Sequence, residues 1–247
     1  NDPHIPKIWF IIAFGLKVIT GIFLTYLYAT LYTERNTADI FKYFDDSKIM
    51  FDALKTNPAD YFKMLFGIDN DNTYFTSKYY QHMGFWVRPF TKDFFTDTHI
   101  IIRFNAFIRL FSMGYINIHN IFINFISIIG LTFIYKAFKQ FTQKKEKVLF
   151  YLLMLVPSIL FWGSGLLKES IIFFGLGLIF FNTFKLSKQF KSKHVIYILI
   201  GILIIIYTKF YLPRSKNPIY SKSLHPGEKM MIPRCVQRWC PTIVVQR

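Results

Sequence analysis

The sequence predicts an all-α fold: a polytopic bundle of transmembrane helices with an extracytoplasmic loop that contains interfacial amphipathic helices. Hydrophobic residues make up 53% of the 247 residues, and the mean hydropathy is +0.31, more than the core of a soluble domain needs. Lysines gather in two clusters between apolar runs. Ten of the 14 acidic residues lie in the stretch 30–98, which separates the first apolar run from the others.

The two lysine clusters set the predicted orientation of the chain. Their members are Lys136, Lys139, Lys144, Lys145, Lys147, Lys185, Lys188, Lys191 and Lys193. Lysine and arginine between membrane spans mark the cytoplasmic side. We therefore expect a cytoplasmic amino terminus in a bacterial inner membrane, with the acidic stretch on the opposite face.

The basic excess does not predict a nucleic-acid partner. The formal net charge is +16, but the basic residues outside the acidic stretch lie largely in loops that flank apolar runs. Membrane topology and anionic headgroups explain that pattern. The two cysteines, Cys235 and Cys240, fit no common zinc spacing and provide no disulfide framework.

A membrane domain is predicted for residues 1–212, with five spans at about 8–29, 116–135, 148–162, 170–184 and 195–212. The first is long enough to cross about 30 Å of hydrocarbon. Lys17 lies near its middle, where a charge is costly, so we expect it to face the bundle interior or a wet cavity. The second span carries a polar stripe that favours helix association over ligand binding. The stripe consists of Asn117, Asn120, Asn124 and Ser127.

The loop 30–98 should contain two helices resting on the membrane. Apolar residues recur near helical spacing between positions 39 and 55, which predicts an amphipathic helix. A second helix should be capped by Asn57, with Pro58 at its first position and Gly67 after its last turn. Residues 99–113 follow as an interfacial helix, because their apolar and polar side chains fall on opposite faces.

The tail, residues 213–247, departs from the pattern of the preceding chain. It has seven basic residues against one acid and no apolar run of span length. We expect this tail not to belong to the native fold, and the absence of an initiator methionine at Asn1 indicates a fragment.

Three aspartates beyond the first span are candidate catalytic residues: Asp39, Asp45 and Asp46. A carboxylate at the edge of the hydrocarbon is partly desolvated, which gives it a pKa suited to accepting a proton from a hydroxyl. Carboxylate oxygens also suit Mg²⁺ or Mn²⁺, so Asp39 and Asp46 are the candidate ligands if a metal is used. The alternative is a solvated acidic surface.

The glycine-rich turn 163–169 is a candidate anion site. Its glycines permit close approach of the backbone, Ser164 can cap the helix that follows, and Lys168 lies in that helix's first turns. Backbone amides and the helix dipole attract anions there, so a phosphate at the membrane interface would fit. The alternative is that Trp162 anchors the chain at the interface while Lys168 pairs with Glu169 or a headgroup.

This region carries a proline, an aromatic stretch and a Lys-Glu pair, namely Pro157, Phe161, Trp162, Gly163, Ser164, Gly165, Lys168 and Glu169. Together with a span that ends in an acidic stretch, the arrangement resembles the glycosyltransferase C superfamily, in particular bacterial membrane proteins of surface-polysaccharide synthesis. The resemblance covers roughly residues 8–212. It implies a sugar donor carried on a polyprenyl phosphate lipid, with Asp39 as the catalytic residue and Lys168 as the phosphate contact.

Two features differ from the pattern of that superfamily. The adjacent acidic pair directly after the span is absent, which keeps Asp45 and Asp46 open as the alternative pair. Five predicted spans are also fewer than the superfamily uses, which fits truncation.

The leading functional hypothesis is a membrane glycosyltransferase that moves a sugar from a polyprenyl-phosphate donor to a glycan or lipid acceptor, with inversion. Its candidate substrate contacts are Lys168, Glu169, Arg103 and Tyr43. One alternative is a polymerase that joins lipid-linked repeat units on the same face. Another, from a different class, is a transporter or flippase component in which Lys17, the polar stripe and Arg103 form a polar path.

Overall fold

The computed structural model describes residues 5–70, 72–86, 98–142 and 145–209. Within these residues all regular secondary structure is helical and no strand occurs, which confirms the all-α class. The tail 213–247 and both cysteines lie outside the described residues. The α-helices are α1 Lys7–Leu31, α2 Asp39–Thr56, α3 Pro58–Phe66, α4 Thr73–Lys78, α5 His99–Ser112, α6 Ile116–Phe138, α7 Glu146–Leu155, α8 Pro157–Trp162, α9 Lys168–Lys188 and α10 Ser192–Lys209.

Three helical segments of the described chain are long and apolar enough to cross a membrane. They are α1, α6 together with the turn that follows it, and α9, with bounds Lys7–Leu31, Ile116–Phe141 and Lys168–Lys188. Within α10, the segment Ser192–Thr208 is also apolar but is shorter than these three. In the region predicted as a span at 148–162, the helix is interrupted between Leu155 and Pro157, and two short helices result.

α1 and α6 pack side by side in opposite directions. Phe10, near the start of α1, lies 5.9 Å from Tyr135 near the end of α6, measured between ring centroids. Phe14 lies 6.2 Å from Phe125, which is nearer the start of α6. The earlier residue of α1 thus faces the later residue of α6, which shows that the two helices are antiparallel.

α6 and α9 pack in parallel. Ring centroids of Phe133 and Phe181 are 5.2 Å apart, and those of Phe138 and Phe184 are 5.7 Å apart. Gly130 and Gly177 make the close approach possible, because a Cβ on either would collide with backbone of the facing helix. Small residues let membrane helices come this close.

α10 returns antiparallel to α9, with His194 Nδ1 2.8 Å from Asn182 Oδ1. The ends of α6 and α9 consequently lie together with the start of α10. We call this end of the bundle the basic end, because it carries Lys136, Lys139, Lys185, Lys188, Lys191 and Lys193.

α2, α3, α4 and α5 form a helical cap at the opposite end of the bundle. α2 packs against α5 and α3, and its apolar residues Ile40, Phe44 and Met50 are buried in one core. α3 begins at Pro58 and ends before Gly67, as predicted, and Gly67 has φ of +72°. Asn57 occupies the N-cap position, but its side chain makes no capping hydrogen bond, so that detail of the prediction is wrong.

α5 buries its polar face and exposes much of its apolar face. Asn105 and Ser112 are fully buried and Arg109 is nearly so, whereas Phe107 and Phe111 are 46% and 60% exposed. The buried side also carries Ile101, Ile102, Ala106 and Ile108, so α5 packs both polar and apolar residues inward. Its exposed phenylalanines suit a surface that contacts hydrocarbon or headgroups.

The buried face of α5 is held by His119, near the start of α6. His119 Nδ1 lies 2.8 Å from Asn105 Oδ1, and Ser112 Oγ lies 2.7 Å from His119 Nε2. The side chain of Asn105 also donates to Ile101 O at 2.9 Å. These hydrogen bonds explain why the polar face turns inward.

A buried carboxylate stabilises the junction of α3 and α4. Asp60 accepts hydrogen bonds from the hydroxyls of Tyr74 and Tyr79 at 2.8 Å each and from Lys78 Nζ at 3.2 Å. Burial alone would raise the pKa of this carboxyl. The three donors outweigh burial and hold its pKa below the usual value.

The folded chain should lose stability in acid through Asp60. Because its pKa is lower in the folded than in the unfolded state, the carboxylate stabilises the fold above the unfolded value of about 4. That contribution disappears as the pH falls through the folded pKa. This loss of stability can be measured by thermal unfolding of the detergent-solubilised chain, followed by circular dichroism from about pH 6 to pH 2.

The Asp60→Asn variant should be less stable than the wild type at pH near 6 and should show a weaker pH dependence. Asp69→Asn is the matched control, since the ion pair between Asp69 and Lys63 is 70% and 45% exposed and contributes little. Equal pH dependence of the wild type and Asp60→Asn would contradict the prediction.

Candidate active site

The segment between α8 and α9 forms a turn that lies among the long helices. We call residues 163–167 the inner turn. Gly163 O accepts hydrogen bonds from Lys17 Nζ at 2.7 Å and from Ser127 Oγ at 2.8 Å. Lys17 and Ser127 lie near the middles of α1 and α6. This turn was predicted to hold a phosphate at the membrane interface, whereas its contacts lie about half-way along α1 and α6.

The inner turn is fixed by donors from three helices. Besides Lys17 and Ser127, Ser170 Oγ donates to Gly163 O at 3.0 Å. Asn124 Nδ2 donates to Ser164 O at 2.8 Å, which confirms that the polar stripe joins segments of the bundle. Lys17 is fully buried, as predicted.

Ser164 has a different role from the predicted one. Its hydroxyl bonds to Leu160 O within the preceding helix and accepts from Lys17 Nζ at 3.2 Å. The N-cap residue of α9 is Leu167, which makes no side-chain capping bond. The prediction that Ser164 caps α9 is therefore wrong, because its hydroxyl is used by α8 and α1 instead.

The inner turn brings the start of α9 to the start of α2. A Cβ at Gly165 would contact Leu24 of α1 and would lie 3.6 Å from Ile40 Cδ1. Leu24, Ile40 and Leu166 are fully buried in the same core. Asp39, the first residue of α2, and Lys168, the first residue of α9, each immediately adjoin this packed region.

Two carboxylates of these segments contribute to the electrostatic surroundings of one hydroxyl. Asp39 and Glu169 both lie close enough to the Tyr28 hydroxyl to act on it electrostatically. Asp39 is exposed, while Lys168 and Glu169 are half-buried. We call Tyr28, Asp39, Lys168 and Glu169 the Tyr28 site. Two of the predicted site residues, Asp39 and Glu169, thus act electrostatically on Tyr28, which was not predicted as a site residue, and Lys168 adjoins Glu169 in the chain.

The backbone at the Tyr28 site favours an anion. α2 and α9, with 18 and 21 residues, both begin here, and neither N-cap residue makes a side-chain capping bond. The first amide groups of a helix have no partner within the helix, and the helix dipole adds positive potential at that end. A phosphate group matches this combination.

Asp45 and Asp46 are each bound to other parts of the cap. Asp45 makes a two-pronged ion pair with Arg35, at 2.9 Å for both hydrogen bonds. Asp46 accepts the backbone amides of Gly84 and Phe85, each at 2.7 Å. Burial raises the pKa of the Asp46 carboxyl above its usual range, although those two amides favour the carboxylate.

Arg103 and Tyr43 are positioned within the cap. Arg103 Nε donates to Met64 O at 2.9 Å, and its guanidinium lies 5.4 Å from the ring of Trp86. Tyr43 is buried with its ring 5.3 Å from that of Phe85. Arg103 therefore satisfies a carbonyl near the end of α3, a contact that ties α5 to α3.

No group of three or more metal-ligating side chains occurs in the part of the chain that the structure describes. Asp46, one of the two candidate ligands for Mg²⁺ or Mn²⁺, uses both carboxylate oxygens to accept amides. Asp39 is the exposed candidate of the two. These positions do not combine into a ligand set.

The sequence contains a spacing pattern that predicts Tyr28 as an inward-facing residue. Lys17, Gly21, Leu24 and Tyr28 are spaced by four, three and four residues, so they share one helical face. Since Lys17 was expected to face the interior, the same face predicts Tyr28 as an inward residue at the end of the span.

Comparison with known proteins gives the chain no assignment to a family. No protein-family model, no curated protein and no solved structure matches the chain. Any function must therefore be inferred from the residues and their arrangement.

Proposed function

We propose that this protein is a membrane glycosyltransferase that moves a sugar from a polyprenyl-phosphate donor to an acceptor hydroxyl at the Tyr28 site. One observation supports the proposal above all others. Asp39 begins α2 and Lys168 begins α9, and the residues next to them, Ile40 and Leu167, belong to the same buried core. A base and a cationic phosphate contact therefore lie in one neighbourhood.

The proposed step assigns one role to each residue. Asp39 accepts the proton of the acceptor hydroxyl as that oxygen forms a bond to the anomeric carbon of the donor. The bond from the anomeric carbon to the phosphate oxygen breaks, and its electron pair remains on the polyprenyl phosphate. Lys168 and the first amides of α9 hold that phosphate and stabilise its added charge. Attack from the opposite side inverts the configuration.

The surroundings of the site suit a lipid-linked donor. The outer face of α1 near Tyr28 exposes apolar residues, including Ile22, Phe23 and Tyr26, at 41%, 51% and 64%. A polyprenyl chain can lie along such a face while its phosphate reaches the helix starts. The Tyr28 site lies at the end of the bundle opposite the basic end. The lysines of the basic end favour a cytoplasmic position for the basic end. The proposal accordingly places transfer on the extracytoplasmic side.

The catalytic role of Asp39 is tested by Asp39→Asn in membranes from cells expressing the full chain. Transfer from a panel of radiolabelled polyprenyl-phosphate hexoses and pentoses into glycan should fall on the order of 10²-fold or more, because the base is lost. Binding of unglycosylated polyprenyl phosphate should stay within about twofold of wild type. Asp52→Asn, on the same helix beside Lys55, is the matched control and should keep full activity.

Lys168→Ala should instead weaken polyprenyl phosphate binding by about tenfold or more, because a charge-assisted hydrogen bond to the phosphate is lost. Lys48→Ala, which changes an exposed lysine of α2, is the control for Lys168→Ala.

Full transfer activity in Asp39→Asn would overturn the proposed mechanism. Products of many repeat units rather than single additions would assign the same chemistry to a polymerase.

A further inference from the structure

A second site lies at the basic end, away from the Tyr28 site and independent of the proposed transfer reaction. The ends of α6 and α9 line a half-open cavity of about 410 Å³ there. Four lysines line this basic cavity together with two aromatic rings, and these are Lys136, Lys139, Lys185, Lys188, Phe181 and Phe184. Among the residues that the structure describes, no acidic side chain lines it.

The positive charge of the four lysines exceeds the negative charge at the ends of the helices that carry them. Each helix C-terminus presents about half a unit of negative charge, so the ends of α6 and α9 together offset about one unit. Four lysines surround them. Within the described part of the chain, Lys136, Lys185 and Lys188 form no ion pair with a carboxylate. The cavity therefore has an excess of positive charge for an anionic group to neutralise.

An apolar groove leads from the basic cavity along the outside of the bundle. It runs between α1 and α6, has a volume of about 390 Å³ and is lined by aromatic and branched side chains. Phe10, Phe14, Phe125 and Phe133 form much of its wall. Lys136 lines both the groove and the basic cavity, so the two adjoin at that residue.

We propose that the basic cavity and the adjoining groove bind an anionic phospholipid, with the phosphate headgroup in the basic cavity and one acyl chain in the groove. Basic pockets between membrane helices on the cytoplasmic side suit such headgroups. The volume of the cavity fits a small polar group. A free phosphate or nucleotide would use the lysines alone, and the groove beside Lys136 favours a ligand that has both a headgroup and a chain.

The test uses the purified full chain in nanodiscs of phosphatidylcholine, with phosphatidylglycerol added in steps. Lipid binding is read by native mass spectrometry and by the rise in melting temperature. The double variant Lys185→Gln/Lys188→Gln should lose about tenfold in phosphatidylglycerol affinity, because two charge-assisted contacts are removed. Lys185 Nζ also lies 5.6 Å from the ring centroid of the half-buried Phe181. The melting temperature without added lipid is therefore recorded for each variant.

Lys191→Gln/Lys193→Gln is the matched control, because it removes the same charge at the same end without touching the cavity lining. It should bind within about twofold of wild type. An equal loss in both double variants would show only general attraction to an anionic surface and would overturn the site.

A second variant separates a lipid from a free anion. Phe125 is 54% exposed and lines the groove, so Phe125→Ser should preserve the fold while weakening binding of phosphatidylglycerol about threefold or more, through lost apolar contact. Inorganic phosphate and glycerol phosphate should give no comparable stabilisation at matched concentration. Equal stabilisation by those soluble anions, with no effect of Phe125→Ser, would reject the phospholipid.

Discussion

Replacement of Lys17 by alanine should lower the free energy of unfolding by about 2 to 5 kcal/mol. The side chain is fully buried, and its amino group donates to Gly163 O and Ser164 Oγ. Alanine removes both hydrogen bonds and leaves a cavity between α1 and the inner turn. Reversible unfolding of the chain in mixed micelles, with sodium dodecyl sulfate as the denaturant, measures the change.

Lys17→Met separates packing from hydrogen bonding, because methionine fills most of the same volume without a donor. We expect Lys17→Met to destabilise less than Lys17→Ala. Methionine keeps the packing and loses only the hydrogen bonds, and it also removes the free-energy cost of burying an amino group. A Lys17→Ala variant within about 0.5 kcal/mol of wild type would show that the contact does not hold the turn.

Replacement of Gly130 by alanine should cost about 1 to 3 kcal/mol. A Cβ at this position would collide with Phe173 O and would lie 2.5 Å from Phe174 Cα, both backbone atoms of α9. The helices must separate to accommodate it, and the parallel pairing of α6 and α9 weakens. The same unfolding measurement in micelles quantifies the loss.

Gly15→Ala is the control for Gly130→Ala, because both glycines are helical but Gly15 has no atom within 4 Å of an added Cβ. Alanine has the better helix propensity, by roughly 0.5 to 1 kcal/mol. Gly15→Ala should therefore be neutral or stabilising. A similar destabilisation by both substitutions would contradict packing as the cause.

Much of the helical organisation could be predicted from the sequence, because local signals determine it. The first apolar run, Pro58 with Gly67, and the polar stripe of α6 each specify a helix or its end. The inward orientation of Lys17 followed from the cost of a charge within hydrocarbon. The depth of the inner turn could not be predicted, because it depends on donors from α1 and α6 that are distant in sequence.

The candidate site was predictable in part for the same reason. Asp39 and Lys168 were selected from local context, and their segments meet in a buried core that includes Ile40 and Leu166, which are far apart in the chain. Asp46 could not be distinguished from Asp39 by sequence, since its two amide partners lie in a distant loop. The local sequence around an aspartate does not reveal which backbone amides it will accept.

The half-way position of the inner turn bears on how the chain is inserted during synthesis. Carbonyls exposed to lipid cost several kcal/mol each. A turn half-way along two helices that are long enough to cross a membrane could therefore not enter hydrocarbon as an independent hairpin without that penalty. The donors that satisfy Gly163 and Ser164 come from Lys17, Asn124, Ser127 and Ser170. Three of these four leave the ribosome before the turn does, so the order of translation provides its hydrogen-bond partners in advance.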